Sequence, residues 1–164
     1  MIVRSKHIIP EEKKNKVKGT IKIPDLTVQS RKKLNKISII KVEWNYMDTL
    51  GFTLSNGESC TAGSDCKVDE NHTFDQNKKI TKVEIIIREY EVDIIRINFY
   101  SGQETLVKVG GYDDDVKEYG GRVESFEIAD DEQLIGAELY HGDHNNIGRG
   151  FFLGVTWFKC KISK

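Results

Sequence analysis

The stretch Lys79-Ile-Thr-Lys-Val-Glu-Ile-Ile, followed after a short gap by Asp93-Ile-Ile-Arg-Ile-Asn-Phe-Tyr-Ser-Gly102, reads as two β-strands joined by a turn. The first run alternates apolar and polar residues and then becomes β-branched. The second is mostly apolar and stops at Ser-Gly, and both patterns are strand signatures. The same outline occurs twice more. Upstream, Lys36-Ile-Ser-Ile-Ile-Lys-Val-Glu precedes Asp48-Thr-Leu-Gly-Phe-Thr-Leu-Ser-Asn-Gly57. Downstream, Glu132-Gln-Leu-Ile-Gly-Ala-Glu-Leu precedes, across a Gly- and Asn-rich gap, Ile147-Gly-Arg-Gly-Phe-Phe-Leu-Gly-Val-Thr-Trp157. Self-similarity of this kind is the mark of a repeat architecture. Three strand–loop–strand units, each with large apolar groups in its second strand, predict a threefold prism whose inner faces share one core.

The flanking text agrees. Thr105-Leu-Val-Lys-Val109 and Val123-Glu-Ser-Phe-Glu-Ile128 add further strands, and Ser55-Asn-Gly57, Ser101-Gly102, Gly110-Gly111, Gly120-Gly121 and His141-Gly-Asp-His-Asn-Asn146 supply turns. No segment carries helical periodicity over a helix's length, so the fold class is all-β. Residues 36–164 form the expected domain. Residues 1–35 are poor in core signal and read as a basic extended arm, with one strand at Val17-Lys-Gly-Thr-Ile-Lys-Ile23 that stops at Pro24.

Net charge hides an asymmetry. The 164 residues sum to −1, yet residues 1–41 carry 12 Lys/Arg against 3 Asp/Glu, a local +9, and the remainder carries −10. Lys outnumbers Arg 19 to 6 and there are 19 Ile but 3 Ala, the bias of an AT-rich genome rather than an adaptation. No apolar run has the roughly 20 residues of a membrane span. The first ten residues lack an apolar signal-peptide core. With three cysteines, an odd number, reduced thiols in the cytoplasm are expected.

The spacing "Ile-x-x-Ile-x-Val, gap, hydrophobic-x-Phe-x-hydrophobic-x-x-Gly" across Lys36–Ile162 resembles the jacalin-related lectins, and Glu132-Gln-Leu-Ile-Gly136 is similar to a strand of that family's last unit. The resemblance implies a β-prism of three Greek-key-like units. It also implies a sugar site built on a Gly-x-x-x-Asp loop in the last unit and a glycine-rich first loop. The matching loop here is Gly142-Asp-His-Asn-Asn146, with Asn146 where the family has aspartate. That exchange replaces an acceptor-only carboxylate by an amide that accepts only through its oxygen. No counterpart of the glycine-rich first loop is visible. Gly142, Asp143, His144 and Asn146 are the loop candidates for sugar, joined by Tyr112, Asp113 and Tyr119, because exposed tyrosines flanking an acidic turn between glycine pairs suit a contact surface.

Other constellations carry less chemistry. Asp113-Asp-Asp115 reads as a solvated acidic loop, since its spacing lacks the alternating ligands and obligatory glycine of a calcium loop. Cys60, Cys66 and His72 are spaced too widely for a structural zinc site and read as loop residues. Cys160 reads as a small buried apolar residue. There is no nucleophile elbow, phosphate loop, zinc-protease helix or dinucleotide fingerprint. The expectation is therefore a protein that is not an enzyme and takes no metal or cofactor.

The basic arm is the strongest non-random feature: Lys13, Lys14, Lys16, Lys18, Lys22, Arg31, Lys32 and Lys33. Lysine dominates and no aromatics interleave, which argues against nucleic acid. A plain positive field suits an acidic protein surface or a cytoskeletal polymer. The leading expectation is a non-catalytic scaffold module docked into a larger assembly by this arm and the loops. The alternative is a jacalin-like carbohydrate-binding protein.

Overall fold

A computed structural model describes residues 2–4, 17–22, 34–39, 42–43, 46–47, 50–55, 57, 59–62, 70–88, 93–143 and 150–161. The three sequence units are the central hairpins of three antiparallel sheets. β3 (Leu34–Ile39) and β6 (Leu50–Leu54) come from the first unit, and β9 (Lys82–Arg88) and β10 (Ile94–Ser101) from the second. β13 (Glu132–Asp143) and β14 (Gly150–Lys161) come from the third. Two further strands flank each pair. β7 (Ser59–Ala62) and β8 (Glu70–Thr73) give the order β7-β6-β3-β8. β11 (Glu104–Gly110) and β12 (Gly120–Glu127) give β11-β10-β9-β12, the same Greek key. In the last sheet the outer places are taken by strands from the basic N-terminal region. β1 (Ile2–Arg4) lies beside β14, and β2 (Val17–Lys22), the strand expected there, lies beside β13. A short ribbon of β4 (Val42–Glu43) and β5 (Tyr46–Met47) stands apart, with β5 against both β10 and β14. The molecule is a β-prism.

The sheets meet on aromatic rings, one from the second strand of each unit. Trp157 of β14 lies 5.8 Å from Phe52 of β6 and 5.7 Å, edge-on, from Phe99 of β10. Phe74 extends the stack with an edge contact to Phe99 at 5.1 Å. Around them, Leu50, Leu54, Val83, Ile85, Ile97, Val109, Leu134 and Val155 complete one core drawn from all three sheets. Tilted and edge-to-face rings at these separations add to the large area that each ring buries. Cys160 is buried on a different patch with Ile135 and Phe158, and burial pushes its thiol up.

β1, β7 and β8 have no counterpart among the sequence-derived strands. Ser59-Cys-Thr-Ala62 and Glu70-Asn-His-Thr73 are short edge strands with little apolar alternation. Pairing to a central hairpin, rather than burial of their own, makes them strands. A second difference concerns Asp113-Asp-Asp115, which opens a short helix, α1 (Asp113–Tyr119), instead of a loop. Three carboxylates in a first turn oppose the positive end of the helix dipole. The turn closes at Gly120, where a Cβ would collide with the Val116 carbonyl oxygen, so only glycine lets the chain leave α1 directly into β12.

The outer edge of β12 is guarded at both ends. A register shift interrupts its pairing between Gly120 and Val123. At the far end Lys159 of β14 donates from Nζ to the Glu127 carbonyl at 2.8 Å and to Glu132 Oε1 at 2.7 Å. Bulges and lysines of this kind discourage strand addition. The bond from Lys159 to the Glu127 carbonyl fastens the last sheet to the second, and the largely buried Glu132, on the last sheet itself, holds the ammonium in place. Among the described residues no helix is long and apolar enough to cross a membrane.

Two outcomes follow from this packing. Trp157→Ala removes the ring that touches both of the others, and we expect a loss of about 3–5 kcal/mol, read from the urea midpoint. An effect within the range of a surface substitution would contradict the shared core. The hydrogen bond from Lys159 holds the Glu132 carboxyl below its ordinary 4.5; burial opposes this and the Ala129 N–H assists it. A carboxylate depressed in the folded state stabilises above its unfolded pKa and loses that contribution as pH falls through the folded value. Glu132→Gln should therefore flatten the decline of unfolding free energy below pH 4.5, measured by denaturant titration across the acid range.

Candidate functional site

The second sheet carries the most developed surface. β11 ends at Gly110 opposite Arg96, and β12 begins at Gly120 opposite Arg88, so α1 bridges the two edges of the sheet where β9 ends and β10 starts. Tyr112 precedes the helix and Tyr119 is its last residue. Tyr112 is extended rather than helical, so the two tyrosines mark the two ends of α1, seven positions and about 10 Å of rise apart. Both rings are open to solvent, Tyr112 at 72% and Tyr119 at 42% of full exposure.

The floor beneath α1 is charged. Arg96, 5% exposed, sits in the otherwise apolar start of β10. Its Nη1 donates to Asp113 Oδ1 at 2.8 Å and its Nη2 to the Gly111 carbonyl. Lys108 Nζ lies 3.6 Å from the same Asp113 oxygen. The Arg96 hydrogen bond, then its charge and that of Lys108, hold the exposed Asp113 carboxyl below the usual carboxylate range. Beside it, the buried Arg88 and Asp93 make a two-point ion pair, Nε to Oδ1 at 3.0 Å and Nη2 to Oδ2 at 3.4 Å. The Tyr119 hydroxyl is pushed up, first by the charge of Glu118, then by burial, with Asp115 adding and Arg88 opposing. Further along the sheet, Glu84 Oε1 accepts from Tyr100 Oη at 3.0 Å and Asn98 Nδ2 at 3.3 Å, while Lys82 stands over the Tyr100 ring.

Three of the sequence-derived candidates, Tyr112, Asp113 and Tyr119, are thus gathered on and beside α1. Gly142 and Asp143 end β13, where Gly142 pairs with Val17 and Phe151, and Asp143 with Gly150. That position corresponds, on the last sheet, to the end of β9 on the second. His144 and Asn146 lie outside the described residues. Of the basic residues, Lys18 and Lys22 fall on β2, with Lys22 opposite Glu138 of β13. Lys13, Lys14, Lys16, Arg31, Lys32 and Lys33 lie outside the described residues, as does Cys66. Cys60 and His72 occupy one row of the first sheet but at its two edges, with Phe52 and Ile37 between. Three strand spacings, about 14 Å, keep them from sharing an ion, and His72 bonds instead to Glu70 at 2.6 Å.

Arg96, Arg88, Asp93 and Lys108 were not among the candidates. A signal for Arg96 exists: a guanidinium inside Ile94-Ile-Arg-Ile97 must find partners or destabilise the strand.

No protein-family model matches the sequence, and no curated protein matches it. Solved structures do. The mannose-binding jacalin-related lectin AcmJRL from Ananas comosus aligns with 98% of the chain and 99% of its own length at 14% identity and a TM-score of 0.59. The agglutinin of Calystegia sepium aligns over 99% and 98% at 12% identity and a TM-score of 0.64. The Calsepa lectin, solved in complex with a biantennary N-glycan, aligns over 99% and 98% at 13% identity and a TM-score of 0.64. The chain has the β-prism fold of the jacalin-related lectins.

Proposed function

We propose that this chain is a non-catalytic carbohydrate-binding protein. The reading is carried by Tyr112 and Tyr119, two exposed rings at the two ends of a helix that is bonded to the end of the second sheet. Sugar rings present apolar C–H faces that stack on such aromatics, while carboxylates beside them accept from hydroxyls. Asp113, next to Tyr112, and Glu118, next to Tyr119, are such acceptors on α1, and Gly142, Asp143, His144 and Asn146 are the second set of candidates in the sequence. The fold shared with a mannose-binding lectin and with a lectin solved with a biantennary N-glycan supports this reading over the scaffold role suggested by the charge pattern. Asn146 in place of the family's aspartate predicts a site that leans on stacking more than on charge.

The full chain, titrated calorimetrically with a biantennary N-glycan and surveyed on a glycan array with mannose as competitor, should give competed, saturable binding. Tyr112→Ala and Tyr119→Ala should each weaken it about fivefold or more, as truncating a contact residue worth about 1 kcal/mol does. Binding to no glycan at millimolar concentration would overturn the reading.

The segregated charge favours a second reading, docking onto an acidic protein surface or cytoskeletal polymer. Changing Lys13, Lys14, Lys16, Arg31, Lys32 and Lys33 to Gln leaves β1 and β2 intact. It should abolish the low-salt association detected by native purification and mass spectrometry; association unchanged by the substitutions would end this reading.

A further inference from the structure

We propose that Arg96 is a positioning residue for the exposed ring of Tyr112, acting through both of its chain neighbours. The inference rests on the carbohydrate-binding reading and adds a residue to it. A guanidinium within an apolar strand is costly to bury unless its donors are used. Here the two Nη groups go to the residues on either side of Tyr112: Nη2 to the Gly111 carbonyl and Nη1 to the Asp113 carboxylate at 2.8 Å. Two further main-chain groups of this turn are also engaged. The Gly111 N–H donates to the Ile95 carbonyl at 2.8 Å, and the Tyr112 carbonyl accepts from the Val116 N–H at 2.9 Å. The backbone around Tyr112 is therefore tied to β10 at three points and closed into the helix at a fourth, while the side chain itself is 72% exposed. Lys108 reaches the same Asp113 oxygen, but from 3.6 Å and from the half-exposed outer strand. A planar fork can hold two acceptors at a fixed separation, which a lysine cannot. An aromatic held in place before contact loses less freedom when a sugar ring stacks on it. Arg96 then contributes to affinity without touching the ligand.

A double-mutant cycle on the full chain tests this, using the biantennary N-glycan as probe and relaxation of the Tyr112 ring carbons as a readout that needs no ligand. Arg96→Met should weaken binding about three- to tenfold in the parent and produce no further loss in a Tyr112→Ala background. The Tyr112 ring should become more mobile while the Tyr119 ring does not. Arg96→Lys, which keeps the charge but not the fork, should recover only a minor part of both effects. Equal loss in the two backgrounds, or an unchanged Tyr112 ring in a folded Arg96→Met protein, would overturn the proposal. If Arg96→Met does not fold, Asp113→Ala removes one of the fork's acceptors at an exposed position and should loosen the same ring; an unaltered ring would again overturn it. Should the parent bind no glycan, the carbohydrate reading fails on that result, and the ring relaxation alone decides the role of Arg96.

Discussion

The contact of Trp157 with Phe52 and Phe99 is the constraint on which the rest of the prism depends. Three sheets can share one interior only if each offers a bulky group toward the common axis, and each does so from the second strand of its central hairpin. Once those three hairpins are joined, the outer strands need bury little of their own. That is why Ser59-Cys-Thr-Ala62 and Glu70-Asn-His-Thr73 can be strands despite their polarity. The same economy leaves the second sheet's outer elements free to carry charged and aromatic groups that contribute little to the core.

The central hairpins were legible in the sequence because burial on the axis imposes strict spacing on Leu50–Leu54, Val83–Ile87, Ile94–Phe99 and Val155–Trp157. The outer strands were less so, since an edge strand is specified by its neighbour as much as by its own residues. α1 was misread as a loop for a related reason. Seven residues span under two turns, too short for an apolar stripe to stand out, and the helix forms because three aspartates suit its first turn and Gly120 permits its exit. The tyrosines of the candidate site could be singled out by composition. Their support could not, because Arg96 and Asp113 are brought together only by the crossing from β11 to β12.

Charge gives the clearest case of a feature whose meaning depends on placement. Read along the chain, the basic start and acidic body suggest an arm and its partner. In the fold, part of that start is β2, whose Lys22 stands across from Glu138. Part of the basic start is thus built into the last sheet rather than standing apart from the body.

The last sheet takes β13 and β14 from one end of the sequence and β1 and β2 from the other. This has a kinetic consequence. Ile2 cannot meet Cys160, nor Ile21 meet Leu139, until nearly the whole chain has been synthesised. Contacts so distant in sequence raise the contact order and slow folding. During that interval the two early strands are unpaired edges, the species most prone to join other chains. Two of the six residues of β2, Lys18 and Lys22, are lysines, the residue type that discourages an unpaired edge from adding to its copies.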